Sequence, residues 1–157
     1  MNRLSTADRV AIIRCLCEGN SIRSTCRITG KAKNTVIKLL VDMGATCSEF
    51  QDTTLRGLSC KRLQLDEIWS FVGTKNANIP AERKGESGIG DVWTWTAVCA
   101  DTKLVPSFLV ADRSADSAML FVEDLRARVL GRVQVTADGN GAYLAAVDQA
   151  FGAGVDY

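Results

Sequence analysis

The chain has 157 residues, of which 46% are hydrophobic and 24% charged, with a net charge of +1 and a mean hydropathy of +0.04. This composition is typical of a globular protein with one domain or two small ones. The absence of histidine excludes Ser-His-Asp and Cys-His catalytic sites, and zinc sites that need histidine. The longest stretches without a charged residue have nine residues, too few to span a bilayer. We therefore expect a soluble, cytoplasmic protein with no membrane partner.

Charge is distributed unevenly along the chain. Residues 1–62 contain 11 Lys and Arg against 5 Asp and Glu, whereas residues 63–157 contain 8 against 13. A nucleic-acid-binding module followed by a metal-binding catalytic domain would have this distribution. An arbitrary basic surface gives the same pattern, so charge alone leaves both interpretations open.

Six cysteines suggest either a disulfide framework or a zinc site, but their spacing favours neither. There is no C-x-x-C motif, and five of the six precede residue 61. We expect small, buried or half-buried apolar side chains. A zinc site using Cys15, Cys17 and Cys26 is the alternative.

Residues 1–45 predict three helices. Ser5 has the position of a helix N-cap, and apolar residues recur at intervals of three and four until Gly19. Ser21 can cap a second helix that ends near Gly30, and a third helical pattern ends at Gly44. Three helices with a short glycine-containing turn before the last predict a helix-turn-helix module.

The third predicted helix has the side chains that a DNA-recognition helix needs. Lysines there can contact phosphates, and amide or hydroxyl groups near its start can contact base edges. The alternative is the solvated polar face of a three-helix bundle. The predicted DNA-contacting residues are Lys31, Lys33, Asn34, Thr35 and Lys38.

After a predicted linker at residues 46–60, the pattern becomes strand, strand, strand, helix, strand, helix. Alternating residues predict strands at 63–72, 92–100, 104–111 and 132–138. Helices are predicted at 115–129 and after Gly141. Pro106 favours an edge position for the third strand, and a right-handed crossover can place the fourth strand parallel to the first and beside it. This is the order of a partial ribonuclease-H-like domain over residues 61–157, so the fold class is α+β.

Two aspartates in this domain are candidates for metal binding. Asp66 interrupts the apolar pattern of the first strand, and Asp138 ends the fourth. Carboxylates on strands about 4.8 Å apart can share Mg²⁺ or Mn²⁺, which suits metal-assisted phosphoryl transfer. The alternative is that they end strands or cap turns. Glu67 is expected on the opposite face, as a solvent or salt-bridge residue, and Glu123 on the surface.

Seven sequence blocks resemble bacterial insertion-sequence transposases of the insertion-sequence-one type. They are Asn20–Arg23, Lys33–Leu40, Cys60–Arg62, Asp66–Phe71, Gly90–Ala97, Ala100–Pro106 and Thr136–Gly139. The resemblance implies a ribonuclease-H-like nuclease with an Asp-Asp-Glu triad and magnesium dependence. It also implies cleavage and joining at transposon ends, with terminal-repeat and target DNA as partners.

Two departures from the family pattern affect this expectation. Asn140 stands where the family often has histidine, and no glutamate follows Glu123. Asp66 and Asp138 carry over as catalytic and metal-binding residues, but the triad glutamate has no counterpart. We expect a C-terminally truncated, nucleoid-associated transposase of impaired activity, with a homo-oligomer left open. The alternative is a non-catalytic DNA-binding module that occupies the terminal repeats and competes with a complete transposase.

Overall fold

The computed structural model describes residues 3–157 and divides the chain into two compact units, one ending at Thr54 and one running from Leu55 to Tyr157. Over the described residues the fold is mixed α+β, with five α-helices and one five-stranded mixed sheet. This agrees with the predicted class. No helix among residues 3–157 is both long and apolar enough to cross a membrane.

The first unit is helical. It contains α1 (Thr6–Cys17), α2 (Ile22–Thr29) and α3 (Lys33–Thr54). The predicted caps are confirmed, because the hydroxyls of Ser5 and Ser21 each accept a backbone hydrogen bond of 3.1 Å from the third residue after them. Gly30 ends α2 at φ +67°, a conformation that glycine adopts without strain. The small core of this unit consists of Ile12, Val36 and Leu39.

Helix α3 is longer than predicted. Gly44 does not end it, and residues 46–54, expected in a linker, form its last turns. A glycine inside a helix costs only about 1 kcal/mol, which does not stop a helix whose flanking turns are favourable. The hydroxyls of Thr46 and Thr53 donate to carbonyls four residues earlier, at 3.0 and 2.9 Å, so these polar side chains are satisfied within the helix.

The second unit is built on the sheet. Its strands are β1 (Arg62–Val72), β2 (Gly90–Cys99), β3 (Ser107–Ala111), β4 (Val133–Thr136) and β5 (Val155–Asp156), in the order β3-β2-β1-β4-β5. Strands β1, β2 and β3 pair antiparallel, whereas β4 lies parallel to both β1 and β5. The predicted parallel placement of the fourth strand beside the first and the edge position of the third are confirmed. The two-residue β5 is too short for alternation to reveal and was not predicted.

Helices α4 (Ala115–Arg128) and α5 (Ala142–Phe151) cover one face of this sheet. The core contains Leu63, Leu65, Trp95, Phe121, Leu125, Val133 and Tyr143. Trp93 and Trp95 share this face, with Trp95 fully buried and Trp93 partly buried. On the other face, Ile68, Phe108 and Val110 are 60%, 44% and 57% exposed. The two faces of the sheet therefore have very different environments.

A polar network joins α4 to the edge strand β3. The Asp124 carboxylate accepts hydrogen bonds from the Arg128 guanidinium at 2.6 and 2.8 Å and from the Ser107 hydroxyl at 2.6 Å. Partial burial opposes ionisation of Asp124, but these donors hold its pKa below the usual value. The buried guanidinium of Arg128 is thereby paired.

Candidate functional site

Asp66 lies in the middle of β1, on the sheet face that the helices leave open. Its cross-strand partner is Thr96 of β2. Leu63 and Leu65, which point to the opposite face, are buried in the core. The side chain is exposed, and its Oδ1 accepts the backbone N–H of Glu67 at 2.8 Å. The position predicted within a strand is confirmed.

Asp138 lies just beyond β4 rather than within it. The prediction that the strand extends to Asp138 is wrong, because β4 ends at Thr136. A turn follows in which Gly139 has φ +88° and the carboxylate of Asp138 accepts the backbone N–H of Asn140 at 3.3 Å. Asp138 is exposed, so this carboxylate is set by a turn and not by the pleat of a strand.

The two aspartates lie at matching positions along two neighbouring segments, Asp66 within β1 and Asp138 in the turn just after β4. Gln64 of β1 pairs with Thr136 of β4. Asp66 lies two residues after Gln64, and Asp138 lies two residues after Thr136. Asp138 follows the carboxyl end of β4, the usual place for functional groups in parallel sheets, whereas β1 continues beyond Asp66 to Val72. Two carboxylates supply oxygen donors that fit Mg²⁺ or Mn²⁺ better than zinc. Within residues 3–157 no group of three or more Asp, Glu, Cys or His side chains is arranged to hold a metal ion.

Glu67 is the residue whose environment differs most from expectation. Its side chain is only 1% exposed, so the prediction of a solvent residue is wrong. The alternative of a salt bridge is confirmed, since the Arg113 guanidinium donates to its Oε2 at 3.0 and 3.2 Å. Its Oε1 accepts a hydrogen bond from the Nδ2 of Asn140 at 3.0 Å. Its place in the alternation after Leu63 and Leu65 was the sequence signal that pointed inward, and in the structure it lies opposite the buried Trp95.

Tyr143 lies in the core beside this carboxylate. It is fully buried, packs edge-on against Trp95 at 5.5 Å, and its hydroxyl makes no hydrogen bond to the described residues. Burial and then the nearby Glu67 carboxylate raise the pKa of Tyr143. The carboxylates of Asp138 and Asp66 act in the same direction on this pKa.

Arg113, the ion-pair partner of Glu67, forms one wall of an open cleft of about 330 Å³. Its guanidinium stacks 4.7 Å from the centre of the Trp93 ring while it pairs with Glu67. The cleft is lined by Asn76, Asp91, Trp93, Asp112, Arg113 and Ser114. Sequence reasoning did not single out Arg113 or this cleft, because both depend on contacts between distant segments.

The predicted DNA-contacting residues lie at or near the start of α3 in the first unit. Lys33 and Asn34 are exposed and Thr35 is half-buried. Lys31 forms an ion pair with Asp8 at 2.9 Å, and Lys38 forms one with Asp42 at 3.0 Å. The first of these pairs lowers the pKa of Asp8 through a hydrogen bond from Lys31.

Further cations are available on the preceding helix. Arg23 and Arg27 lie one turn apart on α2, and both are exposed. Residues four apart share a helix face, so these arginines add to the basic surface of the first unit. Their spacing was visible in the sequence but was not used in the prediction.

The remaining candidates have simpler positions. Glu123 is exposed on α4, as expected. Cys60 and Cys99 are buried and Cys15 and Cys26 half-buried, which fits the expected apolar role, whereas Cys17 and Cys47 are exposed. The alternative zinc cluster of Cys15, Cys17 and Cys26 does not form in the part of the chain that the structure describes.

The chain matches no family model and no curated protein.

Proposed function

We propose that the chain is a DNA transposase-type nuclease, in which a helix-turn-helix module precedes a ribonuclease-H-like domain. The observation that carries the proposal is the equivalent placement of Asp66 and Asp138 after the paired residues Gln64 and Thr136. The strand order, with three antiparallel strands and a helical crossover to a parallel fourth, supports the assignment of the domain. The resemblance described above supplies the reaction: metal-dependent cleavage and transfer of DNA strands.

In this proposal Asp66 and Asp138 hold Mg²⁺ or Mn²⁺ through their carboxylate oxygens. The metal supplies activation of a water or 3′-hydroxyl and stabilisation of the leaving oxygen. The exposure of both aspartates leaves room for a phosphodiester beside them.

We further propose that the first unit binds terminal-repeat DNA through the start of α3. Three consecutive helices with a left-handed glycine between the last two support this module. Lys33 and the two exposed arginines of α2 are suited to phosphates, and Asn34 and Thr35 to base edges. Target DNA and the bacterial nucleoid follow as the partner and location of such a protein. Self-association is left to experiment.

The proposed activity is expected to be weak. Two carboxylates without a third acidic ligand leave a divalent cation bound mainly by water, and such sites have low affinity. Loose positioning of the metal costs transition-state stabilisation.

The second candidate function is DNA binding without catalysis. It is favoured by the same lack of a three-residue metal group among the described residues, together with the compactness of the helical unit by itself. In this version the chain occupies the terminal repeats and competes with a complete transposase.

Cleavage of labelled DNA distinguishes the two candidates. The substrate is a duplex carrying the sequence that flanks the reading frame, incubated with the full chain and Mn²⁺ or Mg²⁺. We expect slow, metal-dependent nicking that is lost in Asp66→Asn and in Asp138→Asn. Glu123→Gln is the matched control, because this exposed carboxylate on α4 is outside the proposed site. Binding without nicking would favour the second function, and nicking that survives both aspartate changes would contradict the proposed metal ligands.

A further inference from the structure

The turn that carries Asp138 is tied to β1 by one side-chain contact between distant parts of the sequence. Glu67 and Asn140 are 73 residues apart, and the Nδ2 of Asn140 donates to Glu67 Oε1 at 3.0 Å. Asn140 also holds the turn internally: its backbone N–H donates to the Asp138 carboxylate at 3.3 Å, and its Oδ1 accepts the N–H of Ala142 at 3.1 Å. The backbone carbonyl of Asn140 also accepts the N–H of Tyr143 at 3.1 Å. Asn140 therefore ties the segment that presents Asp138 to β1 and to the start of α5.

Glu67 is fixed at the other end of this contact. Its Oε2 is held by Arg113 at 3.0 and 3.2 Å, and Arg113 rests on the Trp93 ring. The adjacent backbone carries Asp66, whose carboxylate accepts the N–H of Glu67 at 2.8 Å. One immobilised side chain thus connects the strand position of Asp66 to the turn of Asp138.

The cost of burying Glu67 argues that the contact has a purpose beyond packing. An apolar residue opposite Trp95 would fill this inward position without desolvating a charge, and such replacements of buried ion pairs are often neutral or stabilising. The carboxylate adds a directional hydrogen bond to a turn that the strand pairing does not reach, because β4 ends at Thr136. The buried Tyr143 hydroxyl makes no hydrogen bond to the described residues, so Asn140 and Arg113 are the groups that hold this carboxylate.

We propose that Glu67 is a positioning residue: through its hydrogen bond with Asn140 it sets where the Asp138 carboxylate lies relative to Asp66. This inference rests on the proposed function in taking these two aspartates as the metal ligands. Groups that orient the ligands of a metal ion typically change its affinity by about 10- to 100-fold when they are removed.

Mn²⁺ binding by the full chain, measured by water-proton relaxation, tests this role. Asn140→Ser keeps a short acceptor for the N–H of Ala142 but is too short to reach Glu67, and Glu67→Leu removes the contact from the other side. We expect each change to weaken Mn²⁺ binding about tenfold, and the double variant to bind no more weakly than either single one. Glu67→Gln keeps one oxygen that can accept from Asn140 but places its amide nitrogen against Arg113, so it should weaken Mn²⁺ binding less than Glu67→Leu does.

A control separates positioning from general stability. Ser107→Ala removes a hydrogen bond to Asp124 at the β3 edge of the sheet, so it should lower stability without changing Mn²⁺ affinity. Unchanged affinity in both Asn140→Ser and Glu67→Leu, with binding lost in Asp138→Asn, would overturn the positioning role and leave the metal ligands intact. A loss in Ser107→Ala as large as in Asn140→Ser would overturn it as well.

If the unchanged chain binds no Mn²⁺, that result contradicts the proposed function and not the positioning role of Glu67. Amide hydrogen exchange then tests the positioning role by itself. We expect the amide of Asn140 to exchange faster in Glu67→Leu than in the unchanged chain, because the turn loses its tie to β1. Unchanged exchange at Asn140 in that variant would contradict the positioning role whatever the metal result.

Discussion

Asp66 and Glu67 are neighbours in the chain but have opposite environments. The pleat of β1 turns Asp66 to the open face and Glu67 to the helix-covered face, where only 1% of its side chain is exposed. A buried carboxylate is tolerated when charged and hydrogen-bonding groups replace its water, and Arg113 and Asn140 do so here. The same two-residue period thus gives one acid that is free to bind a ligand and one that serves the protein's own structure.

The residues of the candidate site could be predicted only in part. Asp66 could be placed in a strand because its apolar neighbours Leu63 and Leu65 alternate with polar residues, and this needs no knowledge of the rest of the chain. The burial of Glu67 and its contact with Asn140 could not be predicted, because the contact joins residues 73 positions apart in the sequence. The alternation indicated that Glu67 faces away from Asp66, but not that Arg113 would be there to neutralise it.

Asp124 gives a pH-dependent prediction at the scale of one residue. Its pKa is lowered in the folded protein, so its contribution to stability is present above its unfolded pKa, about 4, and is lost as the pH falls through the lower folded value. Asp124→Asn should therefore reduce the free energy of unfolding by about 2 kcal/mol at pH 7. The difference from the unchanged chain should shrink below pH 4. Urea unfolding at pH 7, 4 and 3 measures this, and a difference that does not vary with pH would contradict the assignment.

At the scale of elements, the sequence predicted the order of helices and strands well and their ends less well. Caps with a local mechanism, such as Ser5 and Ser21, were found because the capping hydrogen bond lies within one turn. The end of α3 was misplaced because Gly44 is a weak signal by itself: its effect depends on whether the backbone turns left-handed there. The strand β4 was predicted three residues too long, two of them at its end, because the turn at Gly139 starts before the alternation of residue types stops.

Two glycines of the helical unit make a matched pair for testing this point. Gly44 lies inside α3 with open space around the position of a Cβ atom, so Gly44→Ala should raise stability by about 1 kcal/mol through helix propensity. Gly30 has equal space but φ +67°, so Gly30→Ala should lower stability by about 1 kcal/mol through backbone strain. Thermal unfolding followed by circular dichroism measures both. Destabilisation by Gly44→Ala would show that α3 ends near residue 44 after all.

At the scale of the whole molecule, the uneven charge of the chain corresponds to two separate compact units. The helical unit, residues 1–54, contains 8 Lys and Arg against 5 Asp and Glu, and the sheet unit, residues 55–157, contains 11 against 13. An acidic domain binds divalent cations but repels DNA, so affinity for a nucleic acid has to come from the basic unit. This division of labour is what the proposed function requires of the full chain.

The salt dependence of DNA binding tests that division. Lys33 is exposed and forms no ion pair with the described residues, whereas Lys38 already pairs with Asp42 at 3.0 Å. A phosphate contact by Lys33 releases a counterion, so Lys33→Ala should weaken binding of the full chain to duplex DNA at every sequence. It should also reduce the slope of log K against log salt by about 1.

Lys38 must exchange its contact with Asp42 for one with phosphate, so Lys38→Ala should cost less affinity than Lys33→Ala. Asp42→Asn should instead strengthen binding, because it frees Lys38 and removes a negative charge from α3. Fluorescence anisotropy over a series of salt concentrations measures all three variants, with Glu123→Gln as the control outside the helical unit. Equal slopes for Lys33→Ala and the unchanged chain would assign DNA binding to another surface.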